Sequence, residues 1–156
     1  MRFVSSLNTL RAALPWWGTL LRLAFALLMI TTGVAKLVDM VGFYEVVANY
    51  QSLPTLLVPP AAWALTLLEL GLGLWLLGNR YIFAAAGVVV ALHLLYLGWL
   101  AVALARGLEL ANCGCFGVFW ARPLTGQTLI EDSVLLLLAL ALWYSVKRAA
   151  NQNAAR

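Results

Sequence analysis

Residues 56–105 decide the fold, and they read LLVPPAAWALTLLELGLGLWLLGNRYIFAAAGVVVALHLLYLGWLAVALA. Two apolar runs, 56–77 and 81–105, stand on either side of the short connector Gly78-Asn79-Arg80. At about 1.5 Å per residue, each run is long enough as a helix to cross a hydrocarbon core about 30 Å thick. Glycine and asparagine favour turns and interrupt helices. The stretch therefore predicts two antiparallel transmembrane helices joined by a tight turn.

The rest of the chain extends this pattern to four spans. Of the 156 residues, 64% are hydrophobic and 10% are charged, whereas a soluble domain is about half apolar and about a quarter charged. Two further apolar runs, 16–38 and 129–146, are long enough to cross a bilayer. We predict a single integral membrane domain over 1–156, an all-α four-helix transmembrane bundle with up-down-up-down topology. The first run lacks a clear cleavage site, so we interpret it as a retained helix and not a signal peptide.

The distribution of charge predicts the orientation. The net charge of +4 comes from scattered basic residues, which does not indicate nucleic-acid binding. The termini and the Gly78–Arg80 connector share one side of a four-span bundle, and their basic residues are Arg2, Arg11, Arg22, Arg80, Lys147, Arg148 and Arg156. The other side holds Lys36, Arg106 and Arg122. Basic residues are enriched in cytoplasmic segments. We therefore predict a multi-pass protein of the plasma (inner) membrane, with cytoplasmic termini and loop 106–128 on the periplasmic or extracellular side.

The motif Asn112-Cys113-Gly114-Cys115-Phe116-Gly117 lies in that loop and contains both cysteines of the chain. Two thiols separated by one glycine can close a small ring, and glycine tolerates the strained backbone that such a ring needs. A strained, exposed disulfide exchanges more readily. We predict that Cys113 and Cys115 form a redox pair. Two alternatives stay open: an inert structural link, which would constrain little chain entropy, and a soft-metal site, which lacks nearby partners. We predict no bound metal and no cofactor.

Charged residues inside the apolar runs are expected to be paired or functional. Arg22 and Glu69 lie at similar calculated depths from the cytoplasmic end of their helices, so we predict a structural ion pair between them. The alternative is that Arg22 extends alone to the membrane surface while Glu69 is protonated. His93, near the middle of the third run, is interpreted as a polar contact between helices.

Lys36 lies at the outer end of the first run, at the level of the cysteine loop. One interpretation makes it an interfacial lysine paired with Asp39, Glu131 or Asp132. In the other, its charge stabilises a cysteine thiolate, because nearby cations lower thiol pKa values.

Short motifs follow one another between residues 18 and 146, namely Gly33-Val34-Ala35-Lys36-Leu37, Phe43, Tyr50 to Pro54, Glu69 to Leu74, Arg106-Gly107-Leu108, Cys113 to Gly117 and Glu131-Asp132. Their order resembles the MauE/DoxX-like membrane proteins, and MauE of methylamine utilisation most closely. The resemblance implies a four-helix membrane protein associated with redox processing outside the cytoplasm. It also implies a link to the maturation of a periplasmic enzyme subunit rich in disulfides.

Two functions follow as hypotheses. In the first, the protein is a membrane thiol–disulfide relay or maturation factor. Its cysteine pair serves a soluble thioredoxin-like partner or a disulfide-containing client. The sequence leaves open whether this makes the protein an oxidoreductase in its own right, since it shows neither a second cysteine pair nor a clear quinone site. In the second, the protein is a non-catalytic small subunit or assembly factor of a larger membrane complex, and the cysteines only shape the loop.

Overall fold

The computed structural model describes residues 14–78, 80–117, 119 and 121–154. Within these ranges the only regular structure is helical: α1 (Trp16–Val38), α2 (Met40–Asn49), a 3-10 turn (Thr55–Leu57), α3 (Val58–Gly78), α4 (Ile82–Ala105) and α5 (Gly126–Ala154). The helices α1, α3, α4 and α5 are long enough and apolar enough to cross a membrane. The predicted all-α fold with four transmembrane helices is confirmed. The basic residues Arg2, Arg11 and Arg156, and Asn79 of the connector, lie outside the described residues.

The helix ends differ from the predicted spans mainly in the last helix. The span predicted over 129–146 is part of a longer helix, α5, which starts at Gly126 and continues to Ala154. Polar residues continue the helix beyond the apolar run, because an α-helix satisfies its backbone groups internally in water as well as in lipid. The loop between α4 and α5 is correspondingly shorter, 106–125 instead of 106–128.

The short helix α2 was expected only as part of a connection. Its N-terminus is capped by Asp39, whose Oδ1 accepts a hydrogen bond of 2.9 Å from the backbone N–H of Gly42, as carboxylates do at helix starts. Phe43 and Val46 are its buried residues. Helix α2 packs against α3 and forms one wall beneath the cysteine loop.

The four long helices pack as two close pairs, α1 with α3 and α4 with α5, while α3 and α4 contact each other less. Glycines allow the first pair to approach closely. A Cβ at Gly73 would lie 2.7 Å from Cγ1 of Ile30, and one at Gly33 would lie 2.6 Å from Cγ of Leu70. Small residues at such crossings are typical of membrane helix pairs. The weaker contact between α3 and α4 leaves room for the cavity described below.

Candidate functional site

The segment Asn112–Gly117, called the cysteine turn, brings the two sulfurs together. Sγ of Cys113 and Sγ of Cys115 lie 3.1 Å apart, and both cysteines are free thiols. Gly114, between them, has φ +78°, a left-handed conformation that glycine adopts without steric cost. Asn112 fixes the turn from both ends, because its Oδ1 accepts from the N–H of Gly114 at 2.9 Å and its Nδ2 donates to the carbonyl of Gly117 at 2.8 Å.

The segments on either side of the cysteine turn are tied to each other by backbone hydrogen bonds. The N–H of Cys113 donates to the carbonyl of Arg122 at 2.7 Å, and the N–H of Leu124 donates to the carbonyl of Leu110 at 2.9 Å. These bonds do not involve the sulfurs. The geometry of the loop therefore does not depend on a bond between the two cysteines.

Tyr50, just beyond α2, connects the cysteine turn to the helices. Its hydroxyl donates to the carbonyl of Cys113 at 2.7 Å, and its own carbonyl accepts from Nη1 of Arg106 at 3.1 Å. Burial raises the pKa of Tyr50, so the phenol remains a donor at physiological pH. One residue thus joins the ends of α2 and α4 to the backbone of Cys113.

The cysteine turn also lies directly on α1 and α2. A Cβ at Gly117 would lie 3.2 Å from the backbone carbonyl of Ala35, and one at Gly114 would lie 2.6 Å from Cγ1 of Val46. The backbone can approach these helices closely because both positions are glycine. The two sulfurs are consequently held at a fixed place over the end of the bundle.

Beneath the cysteine turn lies a buried charged group, the Lys36–Glu69–Tyr96 cluster. Nζ of Lys36 lies 2.7 Å from Oε1 and 2.5 Å from Oε2 of Glu69, and the two side chains are 3% and 1% exposed. The hydroxyl of Tyr96 donates to Oε1 of Glu69. Nζ of Lys36 also donates to the carbonyl of Cys115 at 3.3 Å. The cluster therefore joins α1, α3 and α4 to the cysteine turn.

The predicted ion pair between Arg22 and Glu69 is not formed, because Glu69 is bound by Lys36. Nη1 of Arg22 instead donates to the carbonyl of Leu76 at 3.2 Å. That carbonyl belongs to the last turn of α3, where backbone acceptors lack partners within the helix and attract positive charge. The depth of a Cα does not give the depth of the charged group, because the long side chains of arginine and lysine reach other levels.

Lys36 pairs with Glu69 and not with Asp39, Glu131 or Asp132, the carboxylates considered for it from the sequence. Asp39 caps α2, Glu131 forms an ion pair with Arg122, and Oδ2 of Asp132 is buried without a hydrogen-bond partner among the described residues. Lys36 is buried at the level of the cysteine turn and contacts the carbonyl of Cys115. Its charge lowers the pKa of Cys115, in the direction expected of a thiolate stabiliser, but this effect is outweighed.

The two thiols differ in acidity. The hydrogen bond between the two sulfurs lowers the pKa of Cys113 to about 7, despite the opposing effect of burial. The same hydrogen bond, followed by burial, raises the pKa of Cys115. Cys113 is 7% exposed, and Cys115 is more accessible. Of the two thiols, Cys113 has the lower pKa, and Cys115 belongs to the more exposed residue.

The ring of His93 contacts Val89, Phe25 and Tyr96. Its Nδ1 is 2.8 Å from the carbonyl of Val89 on the same helix, and its ring packs edge-on against Phe25 of α1, with the centroids 5.3 Å apart. The predicted polar contact between helices is thus a contact within α4, while the contact with α1 is aromatic. Among the described residues no three His, Cys, Asp or Glu side chains come together as a metal site.

An apolar cavity of about 370 Å³ lies beside the cysteine pair, between α2, α3 and α4. Its wall includes Lys36, Phe43, Leu65, Tyr96, Trp99 and the Cys113–Cys115 segment. Sequence reasoning identified the two cysteines, Lys36 and Glu69, but it missed Tyr96 and the cavity. No spacing in the sequence marks them, because both arise from residues brought together by three separate helices.

Four spanning helices, with a paired-thiol turn fixed over one end, define a small multi-pass membrane protein with a thiol site. The sequence model of the family described as Methylamine utilisation protein MauE matches residues 13–145, and this chain belongs to the MauE family. It is 32% identical over 122 residues to Methylamine utilization protein MauE of Paracoccus denitrificans. The aligned region covers 78% of this chain and 66% of that protein. This chain is 38% identical over 116 residues to the protein of the same name from Methylophilus methylotrophus, covering 74% and 59%. The match thus spans less than two thirds of these relatives' own lengths. No solved structure matches the chain.

Proposed function

We propose that this membrane protein is a maturation factor whose Cys113–Cys115 pair exchanges disulfides with a soluble thioredoxin-like partner or a disulfide-containing client. The exchange takes place on the non-cytoplasmic side of the plasma membrane. The observation that carries the proposal is the distance of 3.1 Å between the two sulfurs, in a turn whose shape is set by other bonds. A pair held in this way can open and close its disulfide while the helices stay in place.

The difference between the thiols supports a direction of attack. Starting from the closed disulfide, a client thiolate attacks the sulfur of Cys115, the more exposed of the two residues, and Cys113 leaves as a thiolate. A second client thiol then attacks the client sulfur of the mixed disulfide and releases Cys115. The client gains a disulfide, and the protein keeps both electrons and two protons as a dithiol. The reverse sequence reduces or isomerises a client disulfide with the same atoms.

The Lys36–Glu69–Tyr96 cluster supports this role by positioning. Lys36 binds the carbonyl of Cys115, so the buried cluster fixes the backbone of the more accessible cysteine. Its positive charge also favours the thiolate of Cys115 at the moment when that sulfur leaves the mixed disulfide. Lys36 is therefore proposed as a positioning and thiolate-stabilising residue.

The double change Cys113→Ser with Cys115→Ser tests the proposal. The protein should remain inserted and near wild-type in abundance, because the turn is held by backbone and Asn112 hydrogen bonds, while maturation of a client disulfide protein should be lost. With Cys113→Ser alone, the remaining Cys115 should attack a client disulfide, release one client thiolate and accumulate as a reducible higher-mass adduct. Cys115→Ser should accumulate far less of it.

Two results would contradict the proposal. Degradation of the double-serine protein would make the cysteine pair a structural element. A stable double-serine protein with full client maturation would instead support the second hypothesis, a non-catalytic subunit or assembly factor of a larger membrane complex.

A further inference from the structure

The apolar cavity has the size of a small-molecule site. Its volume is about 370 Å³, within the range of about 300–1,000 Å³ typical of ligand pockets. Side chains from α2, α3 and α4 form most of the wall, including the aromatic rings of Phe43, Tyr96 and Trp99. Aromatic walls favour a flat ring. The cavity therefore suits an apolar ring compound rather than a charged metabolite.

Reactive and charged groups also line this cavity. Cys113 and Cys115 both contribute to the wall, so the cysteine turn borders the cavity. Lys36 lines the same space while it is bound to Glu69. A lipid acyl chain would gain nothing from two thiols, but a compound that accepts electrons would react with them.

The cavity opens towards the lipid-facing surface. Ala64 of α3 and Leu95 of α4 line it, and both are exposed, Leu95 to 53%. They lie where α3 and α4 face each other, and each of these helices packs mainly on another partner. A compound dissolved in the bilayer can therefore enter between α3 and α4 without passing through water.

We propose that the apolar cavity binds the ring of a membrane-soluble quinone, which oxidises the Cys113–Cys115 pair. This inference rests on the proposed function, since it concerns the oxidant of the same pair. The quinone ring lies against the sulfurs and its tail leaves between Ala64 and Leu95. The proposal assigns a direction to the exchange: electrons pass from client thiols to the cysteine pair and from there to the quinone.

The step balances. The two thiols lose two electrons and two protons and form one S–S bond, and the quinone gains the same two electrons and two protons and becomes a quinol. Negative charge develops on a quinone oxygen as electrons arrive. The two protons that the thiols release neutralise that charge.

Purified protein in lipid nanodiscs, with its cysteines reduced, is the material for the test, and decyl-ubiquinone is the probe. This quinone is fully substituted, so it oxidises thiols without adding to them. Disulfide formation is followed by alkylation and mass spectrometry, and quinol formation is followed by ultraviolet absorbance. Glutathione disulfide in water serves as the second oxidant.

Two substitutions of alanine by tryptophan distinguish an effect on the cavity from an effect on the lipid-facing surface. Ala64→Trp fills the entrance between α3 and α4. Ala91→Trp adds the same side chain to an exposed position of α4 that does not line the cavity. We expect Ala64→Trp to slow oxidation by decyl-ubiquinone about tenfold or more, corresponding to about 1.4 kcal/mol, while glutathione disulfide still oxidises the pair. Ala91→Trp should behave as wild type with both oxidants.

Binding can be measured apart from redox chemistry in the Cys113→Ser, Cys115→Ser double variant. Decyl-ubiquinone should quench its tryptophan fluorescence saturably, and Ala64→Trp should abolish that saturable component. The quinone proposal is overturned if glutathione disulfide oxidises the wild-type pair and decyl-ubiquinone does not, or if Ala64→Trp leaves the quinone rate unchanged. Failure of both oxidants would overturn the exchange function itself.

Discussion

Lys36 has three acceptors in two other parts of the molecule: both carboxylate oxygens of Glu69 on α3 and the carbonyl of Cys115 in the cysteine turn. It also lies 5.4 Å from the ring centre of Phe43 on α2. An ammonium group has three N–H donors, so these contacts use its full capacity. A single buried side chain thereby fixes the position of the thiols relative to the membrane helices.

Replacing Lys36 should destabilise the protein strongly. Lys36→Met leaves the carboxylate of Glu69 buried without its cation, a change that typically costs about 3–5 kcal/mol. Heating followed by fluorescence-detected size exclusion measures the loss. The double change Lys36→Met with Glu69→Gln should recover most of it, whereas Arg22→Met, which removes a bond to one carbonyl, should cost about 1 kcal/mol. Equal losses in all three variants would refute this assignment.

The acidity of Cys113 predicts a pH dependence. Its pKa of about 7 means that the thiolate fraction, and with it the alkylation rate, rises through neutral pH. Because the hydrogen bond between the two sulfurs is the main cause of the low pKa, Cys115→Ala should move the midpoint to higher pH. Iodoacetamide labelling of the reduced protein, quantified for the Cys113 peptide by mass spectrometry, gives both midpoints. An unchanged midpoint would contradict the proposed coupling of the thiols.

At the scale of elements, the contact between α1 and α3 depends on glycine at a defined register. Gly73→Ala places a methyl group 2.7 Å from Ile30 and 3.0 Å from the carbonyl of Ala26, so it should cost about 1–3 kcal/mol. Gly71→Ala, two residues earlier, meets nothing within 4 Å and should be neutral or stabilising by up to about 1 kcal/mol. Thermal stability in detergent distinguishes them. Similar melting temperatures for the two variants would show that the contact between α1 and α3 tolerates a methyl group at Gly73.

The cysteine turn should be sensitive to the same substitution for a different reason. Gly114 and Gly107 both have positive φ, +78° and +70°, so alanine introduces comparable backbone strain at each. Only at Gly114 does the added Cβ meet a neighbour, Cγ1 of Val46 at 2.6 Å, whose branched side chain is stiff.

We expect Gly114→Ala to slow the reaction of the pair with glutathione disulfide severalfold while the helices remain folded. Gly107→Ala should leave that rate nearly unchanged. Exchange kinetics, with circular dichroism as the folding control, test this expectation. Equal rates in the two variants would show that the cysteine turn does not need its contact with α2.

At the scale of the whole molecule, the excess of basic residues at the termini and the α3–α4 connector predicts which end of the bundle faces outward. In a background without native cysteines, Glu109→Cys reports on the cysteine loop and Arg80→Cys on the opposite connector, and both positions are exposed. A membrane-impermeant maleimide added to intact spheroplasts should label position 109. It should label position 80 only after lysis, and the reverse pattern would invert the topology.

The fold was predictable from sequence because lipid imposes a length requirement that apolar runs such as 16–38 satisfy visibly. Helix α2 was missed since it is too short to span, although its signals were present: Asp39 as a cap, followed by Phe43, Val46, Val47 and Tyr50 at helical spacing. The capping residue and the helical spacing indicate this helix, whereas the hydropathy of the segment does not.

The site was predictable only in part. The cysteine turn is local in sequence, so Cys113 and Cys115 could be selected directly. The partner of Glu69 depends on how α1 and α3 are offset along their axes and on how far their long side chains reach. Depths counted along separate helices do not contain this offset. The interpretation of Lys36 as interfacial was wrong for the same reason.

The exposed position of Ala64 and Leu95, where α3 meets α4, determines the reservoir from which the apolar cavity fills. For a compound that enters there, occupancy of the cavity depends on the mole fraction of the compound in the lipid. Its concentration in the water matters only because it determines how much compound partitions into the bilayer. Apparent affinities should then scale with the amount of lipid in the assay, and compounds with different tails should be ranked after correction for partition coefficients. Diluting a fixed amount of such a compound with additional lipid should empty the cavity, even though the aqueous volume and the protein concentration stay constant.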